Sequence, residues 1–172
     1  EFVDKSIKYI KGNNELPDII HSHYADAGYV CTELTKFFGI PLIHTGHSLG
    51  RDKLNNLLKQ GLTKEEINKR YKIFKRIEAE ESTIFFADRI ITSTNQEIDK
   101  QYGLYENTNK DKFVVIPPSV ELKRFYPYNE KREWNSEEKE IREKIREELW
   151  RFFTNLNKPL ILSLCRPEKR KN

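Results

Sequence analysis

Two short apolar runs, each bounded by proline and glycine and joined through one amphipathic stretch, leave this chain very few possible folds. The first reads Pro17-Asp18-Ile19-Ile20-His21-Ser22-His23-Tyr24-Ala25-Asp26-Ala27-Gly28, and the second Gly39-Ile40-Pro41-Leu42-Ile43-His44-Thr45-Gly46-His47-Ser48-Leu49-Gly50. Three or four apolar residues between such breakers suit strands buried in an α/β sheet. Strand one is expected over about Asp18 to His21, and strand two over about Pro41 to Thr45. Between them, apolar residues at 27, 30, 34, 37 and 38 predict a helix from Ala27 to Phe38, closed by Gly39. A strand–helix–strand unit of this length requires a parallel pair with a right-handed crossover. Polar groups at the carboxyl ends of such strands line the crevice where α/β sheets bind ligands. All four histidines, His21, His23, His44 and His47, fall at those ends.

The remaining pattern extends the same architecture. Val3 to Lys11 reads as the tail of a helix ended by Gly12, and Ser48 to Gly61 as a polar loop with one helical turn at Leu54 to Leu58. Thr63-Lys64-Glu65-Glu66 is a capping box. It opens one long helix to about Phe86, with Ile67, Tyr71, Phe74, Ile77, Ile84 and Phe85 on one face. Glu78 and Glu81 fall inside that stripe and need partners or a wet cleft, while Arg76 lies opposite it. Strand three is Arg89 to Thr92, and Thr94 to Glu97 forms a second capping box for a helix reaching about Tyr102. A turn-rich loop, Asn107 to Asp111, leads to strand four at Lys112 to Ile116, stopped by Pro117-Pro118. Asn129 to Phe153 alternates Glu, Lys and Arg at i,i+4 spacing, which predicts a single solvated helix. Strand five is expected at Pro159 to Leu164.

Composition narrows the function classes. Apolar residues at 37% and aromatics at 12% argue against disorder. No run approaches the roughly 20 apolar residues of a membrane span, and no signal peptide opens the chain. That second point weighs little, because a chain of 172 residues with no methionine reads as an internal fragment. Cys31 and Cys165 suggest no disulfide framework and suit a reducing cytoplasm. A net charge of +4, from 31 basic and 27 acidic residues, does not point to nucleic acid.

Several residues could carry chemistry. His21 and His23 point the same way along a strand, which allows joint metal ligation, but Asp26 is the only nearby carboxylate. The competing reading makes His21 and His44 hydrogen-bonded structural imidazoles and places His23 and His47 in the cleft. The tail Arg166-Pro167-Glu168-Lys169-Arg170-Lys171 could set two cations on one anion, or form a solvated basic turn. A departing diphosphate needs such neutralisation as charge builds on its bridging oxygen. Lys53 and Arg76 are a third pair, indistinguishable by position from ordinary surface cations.

HSHYADAGYV (21–30), IPLIHTGHSLGRDKLNNLL (40–58), RIEAEE (76–81), ADRIITSTNQEI (87–98), KFVVIPPSVELKRF (112–125) and LSLCRPEKRKN (162–172) occur together and in order. In this set the chain resembles the sucrose-phosphate synthase family of retaining glycosyltransferases, whose GT-B fold faces two Rossmann-like domains. The resemblance covers about residues 17 to 126 and 159 to 172. TGHSLGR and HSHYADAGY are specific to the branch shared with sucrose synthase, which usually departs from TGHSLGR. The Arg-Pro-Glu tail is common to many retaining glycosyltransferases.

The resemblance implies an α/β fold of GT-B type. Residues 1 to 120 would be the later half of the acceptor-side domain, and 121 to 172 an interdomain connection, a charged helix and the first strand of the nucleotide-sugar domain. It implies transfer of glucose from UDP-glucose to fructose 6-phosphate with no cofactor, no essential metal, and no nucleic-acid or membrane partner, in the cytoplasm. Tyr24, His47, Ser48, Lys53 and Arg76 would line the acceptor side, with Lys53 and Arg76 on the sugar phosphate. His23, Arg166 and Lys171 would serve the donor, the last two clamping its diphosphate, and His47, Arg166 and Lys171 would be catalytic. The family's Gly-rich loop and paired-Glu segment are missing from this sequence, so the isolated chain is expected to be inactive. The alternatives are sucrose synthase, another retaining glycosyltransferase of this architecture, or a non-catalytic basic module docking an acidic partner or RNA.

Overall fold

The computed structural model describes residues 1–13, 15–126, 133–156, 158 and 165. The chain divides into two compact units, Glu1–Val120 and Glu121–Asn172. In the first, α1 (Phe2–Asn13) precedes β1 (Ile20–His23), α2 (Tyr24–Phe38), β2 (Leu42–Thr45), α3 (Gly50–Lys59), α4 (Lys64–Tyr71), α5 (Ile73–Phe86), β3 (Arg89–Thr92), α6 (Asn95–Lys100) and β4 (Phe113–Val115). The four strands are parallel and lie side by side in chain order. In the second unit α7 (Ser136–Trp150) is the helix among the described residues. No helix among them is long and apolar enough to cross a membrane.

Register decides which side chains are buried. Ser22 lies opposite His44, and His44 opposite Ile90, so these share one sheet face. That face is covered by helices: Ser22, Leu42, His44, Ile90 and Thr92 are all buried. The core there is Leu42, Leu49, Ile84, Ala87, Ile90, Tyr102 and Tyr105. Asp88 locks β2 to β3, accepting from the Leu42 amide at 2.8 Å while its own amide donates to the Leu42 carbonyl.

The structure corrects several expectations. The predicted loop after Ser48 contains the full helix α3. The long helix is two, because Lys72 adopts a left-handed conformation at φ 50° and restarts the helical phase. From that restart Ile73, Ile77, Glu80, Ile84 and Ala87 turn inward, and Phe74, Glu78 and Phe85 are exposed. The Thr63 capping box forms as read, with Glu66 closing it. At the second, Thr94 caps Glu97, but the Glu97 carboxylate returns to the Ser93 amide. The charged helix begins only at its own capping box, Asn135 with Glu138. Strand five, at 159–164, lies outside the described residues.

Candidate active site

The carboxyl ends of β1 and β2 bring the histidines together. His23 Nδ1 and His47 Nε2 share a hydrogen bond at 2.8 Å. Their rings stack with centroids 5.1 Å apart; His21 lies 4.3 Å from His23, and Tyr24 lies 4.7 Å from His47. Tyr24 is half exposed, so this four-ring stack forms an open surface. Tyr24 and His47 both hold left-handed backbone, at φ 66° and 57°. For a bulky residue that conformation costs of order 1–2 kcal/mol, and such strain clusters at functional sites. The His47 turn is fixed from behind, because the Tyr102 hydroxyl accepts from the Gly46 amide at 3.1 Å.

His21 and His44 prove different from each other. His44 is buried, 2.8 Å from the Ser22 hydroxyl through Nδ1, and burial with three neighbouring imidazoles lowers its pKa to about 4. It is a neutral structural imidazole. His21 is exposed on the opposite sheet face and shares a hydrogen bond with Thr45 at 2.9 Å. Its pKa is lowered too, by desolvation and then by His23 and His47. Among the described residues no group of three or more His, Cys, Asp or Glu is arranged to hold a metal ion.

Beyond Ser48 the site becomes cationic. Arg76 Nη2 donates to the Ser48 carbonyl at 2.6 Å and to its hydroxyl at 3.1 Å, so α5 does border the rim. Lys53, one turn into α3, places its ammonium 4.0 Å from the centre of the Tyr71 ring, and Arg70 approaches the same ring at 5.2 Å. Desolvation, then Arg76 and Arg70, push the Lys53 pKa down. Mutual repulsion of this kind is relieved by an anion. Tyr24, His23, His47 and Ser48 thus form one neighbourhood and Ser48, Lys53 and Arg76 the next, while Arg166 and Lys171 lie outside the described residues.

Sequence reasoning missed Glu80 and the Arg70–Tyr71 pair, whereas Glu81, which the stripe marked as needing partners, finds them. Glu80, 1% exposed, accepts from Arg76 Nε at 2.8 Å, from the Gly50 amide at 2.8 and 3.1 Å, and from the Tyr105 hydroxyl. Its i,i+4 spacing from Arg76 was the available signal. Glu81 joins Arg51 at 2.7 Å and accepts from the amides of Glu106 and Asn107. Burial raises its pKa, but those partners more than offset this and hold it below the usual range. Arg70 and Tyr71 had no motif to mark them.

Comparison with known proteins adds an independent line. Residues 2–124 match the profile described as Glycosyltransferase Family 4. "Sucrose-phosphate synthase 1" of Arabidopsis thaliana is 38% identical over the whole chain, which spans 20% of that protein. "Probable sucrose-phosphate synthase 1" of Craterostigma plantagineum is 37% identical with the same coverage. Among solved structures, sucrose-phosphate synthase from Thermosynechococcus elongatus superposes with a TM-score of 0.56 at 26% identity, covering 74% of this chain and 29% of that one. The chain therefore spans about a fifth of the length of these curated relatives.

Proposed function

This chain belongs to glycosyltransferase family 4, and from that premise we propose that it supplies the acceptor side of a retaining glucosyltransferase that moves glucose from UDP-glucose to fructose 6-phosphate, giving sucrose 6-phosphate. The observation that carries the reading is the clustering of Lys53, Arg70 and Arg76 against Ser48 and Tyr71. Neither Lys53 nor Arg70 forms an ion pair among the described residues. A sugar phosphate supplies the missing counter-charge, and charge-assisted hydrogen bonds from Lys and Arg are the strong ones. The sucrose-phosphate synthases named above are relatives whose names fit an acceptor of that kind.

The histidine stack complements this charge. His47 orients and polarises sugar hydroxyls at the rim, with Tyr24 as a ring surface beside it. His23, bonded to His47, faces the donor. Arg166 and Lys171 clamp the donor diphosphate, so that negative charge on the departing oxygen is neutralised as the glycosidic bond breaks. The fructose hydroxyl attacks from the face the diphosphate leaves, and the leaving phosphate takes the hydroxyl proton. Retention of the α configuration follows from attack on the same face. The small-molecule substrates, the absence of a nucleic-acid or membrane partner, and a cytoplasmic setting belong to the same proposal.

A titration tests it. Fructose 6-phosphate should perturb the NMR signals of Lys53, Arg70 and Arg76, and unphosphorylated fructose should not. Lys53→Met should weaken the sugar phosphate at least about tenfold, the value of one charge-assisted contact. Equal binding of the two sugars by the unaltered chain would overturn the assignment.

A further inference from the structure

We propose that Glu80 is a positioning residue, which fixes the distance between the two cation-bearing helices so that one phosphate reaches both Lys53 and Arg76. The inference rests on the acceptor reading above and adds to it the residue that sets the geometry. Glu80 belongs to α5, four residues after Arg76, and its carboxylate crosses to the first residue of α3. Lys53 follows three residues later on α3. One buried group therefore ties the frames of both cations together.

Close approach makes the tie specific. A Cβ at Gly50 would lie 2.7 Å from Glu80 Oε2 and 3.0 Å from Ile77 Cγ1, so only glycine lets α3 come this near. The Tyr105 hydroxyl closes the remaining side of the carboxylate. Glu80 spreads its negative charge over an amide, a phenol and a guanidinium instead of cancelling Arg76 alone. Arg76 is held at Nε by Glu80 and at Nη2 by Ser48. The two N–H groups of Nη1 have no partner among the described residues and stay available to a ligand. A guanidinium already held at most of its donors loses little freedom on binding, which is how pre-organisation raises affinity.

A double-mutant cycle on the 172-residue chain tests this. Affinity for fructose 6-phosphate and for fructose is measured for the unaltered chain, Glu80→Gln, Arg76→Gln and the double variant. Glu80→Gln is expected to weaken the sugar phosphate about tenfold, a charge-assisted bond's worth, and to leave fructose unchanged. The double variant should be no weaker than Arg76→Gln. A merely structural carboxylate would lower the melting temperature without changing the ratio between the two sugars. Should Glu80→Gln not fold, Tyr105→Phe serves, because it removes one donor that fixes the Glu80 rotamer and should reduce the same ratio. Folded variants with unchanged ratios, or losses that multiply in the double variant, would overturn the positioning role alone. Failure of the unaltered chain to prefer the sugar phosphate would remove the acceptor reading and this inference with it.

Discussion

At the scale of single residues, the two inner imidazoles show what a sequence can and cannot say. His21 and His44 occupy equivalent places in their runs, yet β1 and β2 pair with Ser22, not His21, opposite His44. One step of register sends the two rings to opposite faces. That step is invisible until the strands are aligned. Its consequence can be measured. The folded state keeps His44 neutral down to about pH 4, while the unfolded chain takes up a proton near 6.5. The unfolded state therefore binds more protons in that window, so stability is full above pH 6.5 and falls as pH drops toward 4. The loss approaches about 3 kcal/mol from this residue. Urea unfolding at several pH values should show it, and His44→Asn, which cannot titrate, should flatten the slope. Thr63→Ala tests a feature that was fully legible, and should cost about 1 kcal/mol of unfolding free energy through loss of its cap on Glu66.

At the scale of elements, capping chemistry was readable and helical phase was not. Thr63 and Glu66 announce a helix start by residue type alone. Nothing in Arg70-Tyr71-Lys72-Ile73 announces a stop, since lysine carries no turn signature. The left-handed Lys72 shifts every later position, and this is why Glu78, placed in the apolar stripe of an unbroken helix, is exposed while Glu80 turns inward. A prediction isolates the break. Lys72→Gly should be neutral or stabilising, whereas Lys72→Val, with a branched side chain at φ 50°, should lose about 1–2 kcal/mol in thermal unfolding. Helix α3 was missed for a related reason. Its start is a tertiary event, the Gly50 amide donating to Glu80, and no local propensity encodes it. Helix α7 is held by local pairs such as Lys144 with Glu140 at 2.7 Å. Its helicity should decline when Asn135→Ala removes the cap, as read from the backbone NMR shifts of Ser136–Trp150.

At the scale of the whole molecule, the parallel pairing of β1 with β2 was legible in the strand–helix–strand spacing. The placement of β3 and β4 beyond β2 was not, because right-handed crossovers equally allow a later strand to add beside β1. Nor was the tightness between layers legible. Gly28 sits where α2 crosses α5, and a Cβ there would meet Thr83 Oγ1 at 2.8 Å and His44 Cε1 at 3.2 Å. Thr83 is itself held by Thr32 and the Ala79 carbonyl, so it cannot yield. Gly28→Ala should destabilise the first unit by about 1–3 kcal/mol in chemical denaturation, the cost of overfilling a packed layer. The left-handed backbone at Tyr24 and His47 has a different consequence, one for directed evolution. A library screened only for heat resistance should enrich glycine at these two positions, where it relaxes the chain and sacrifices little buried surface. Under the proposed acceptor role, its winners should be sturdier molecules that have gone blind to sugar.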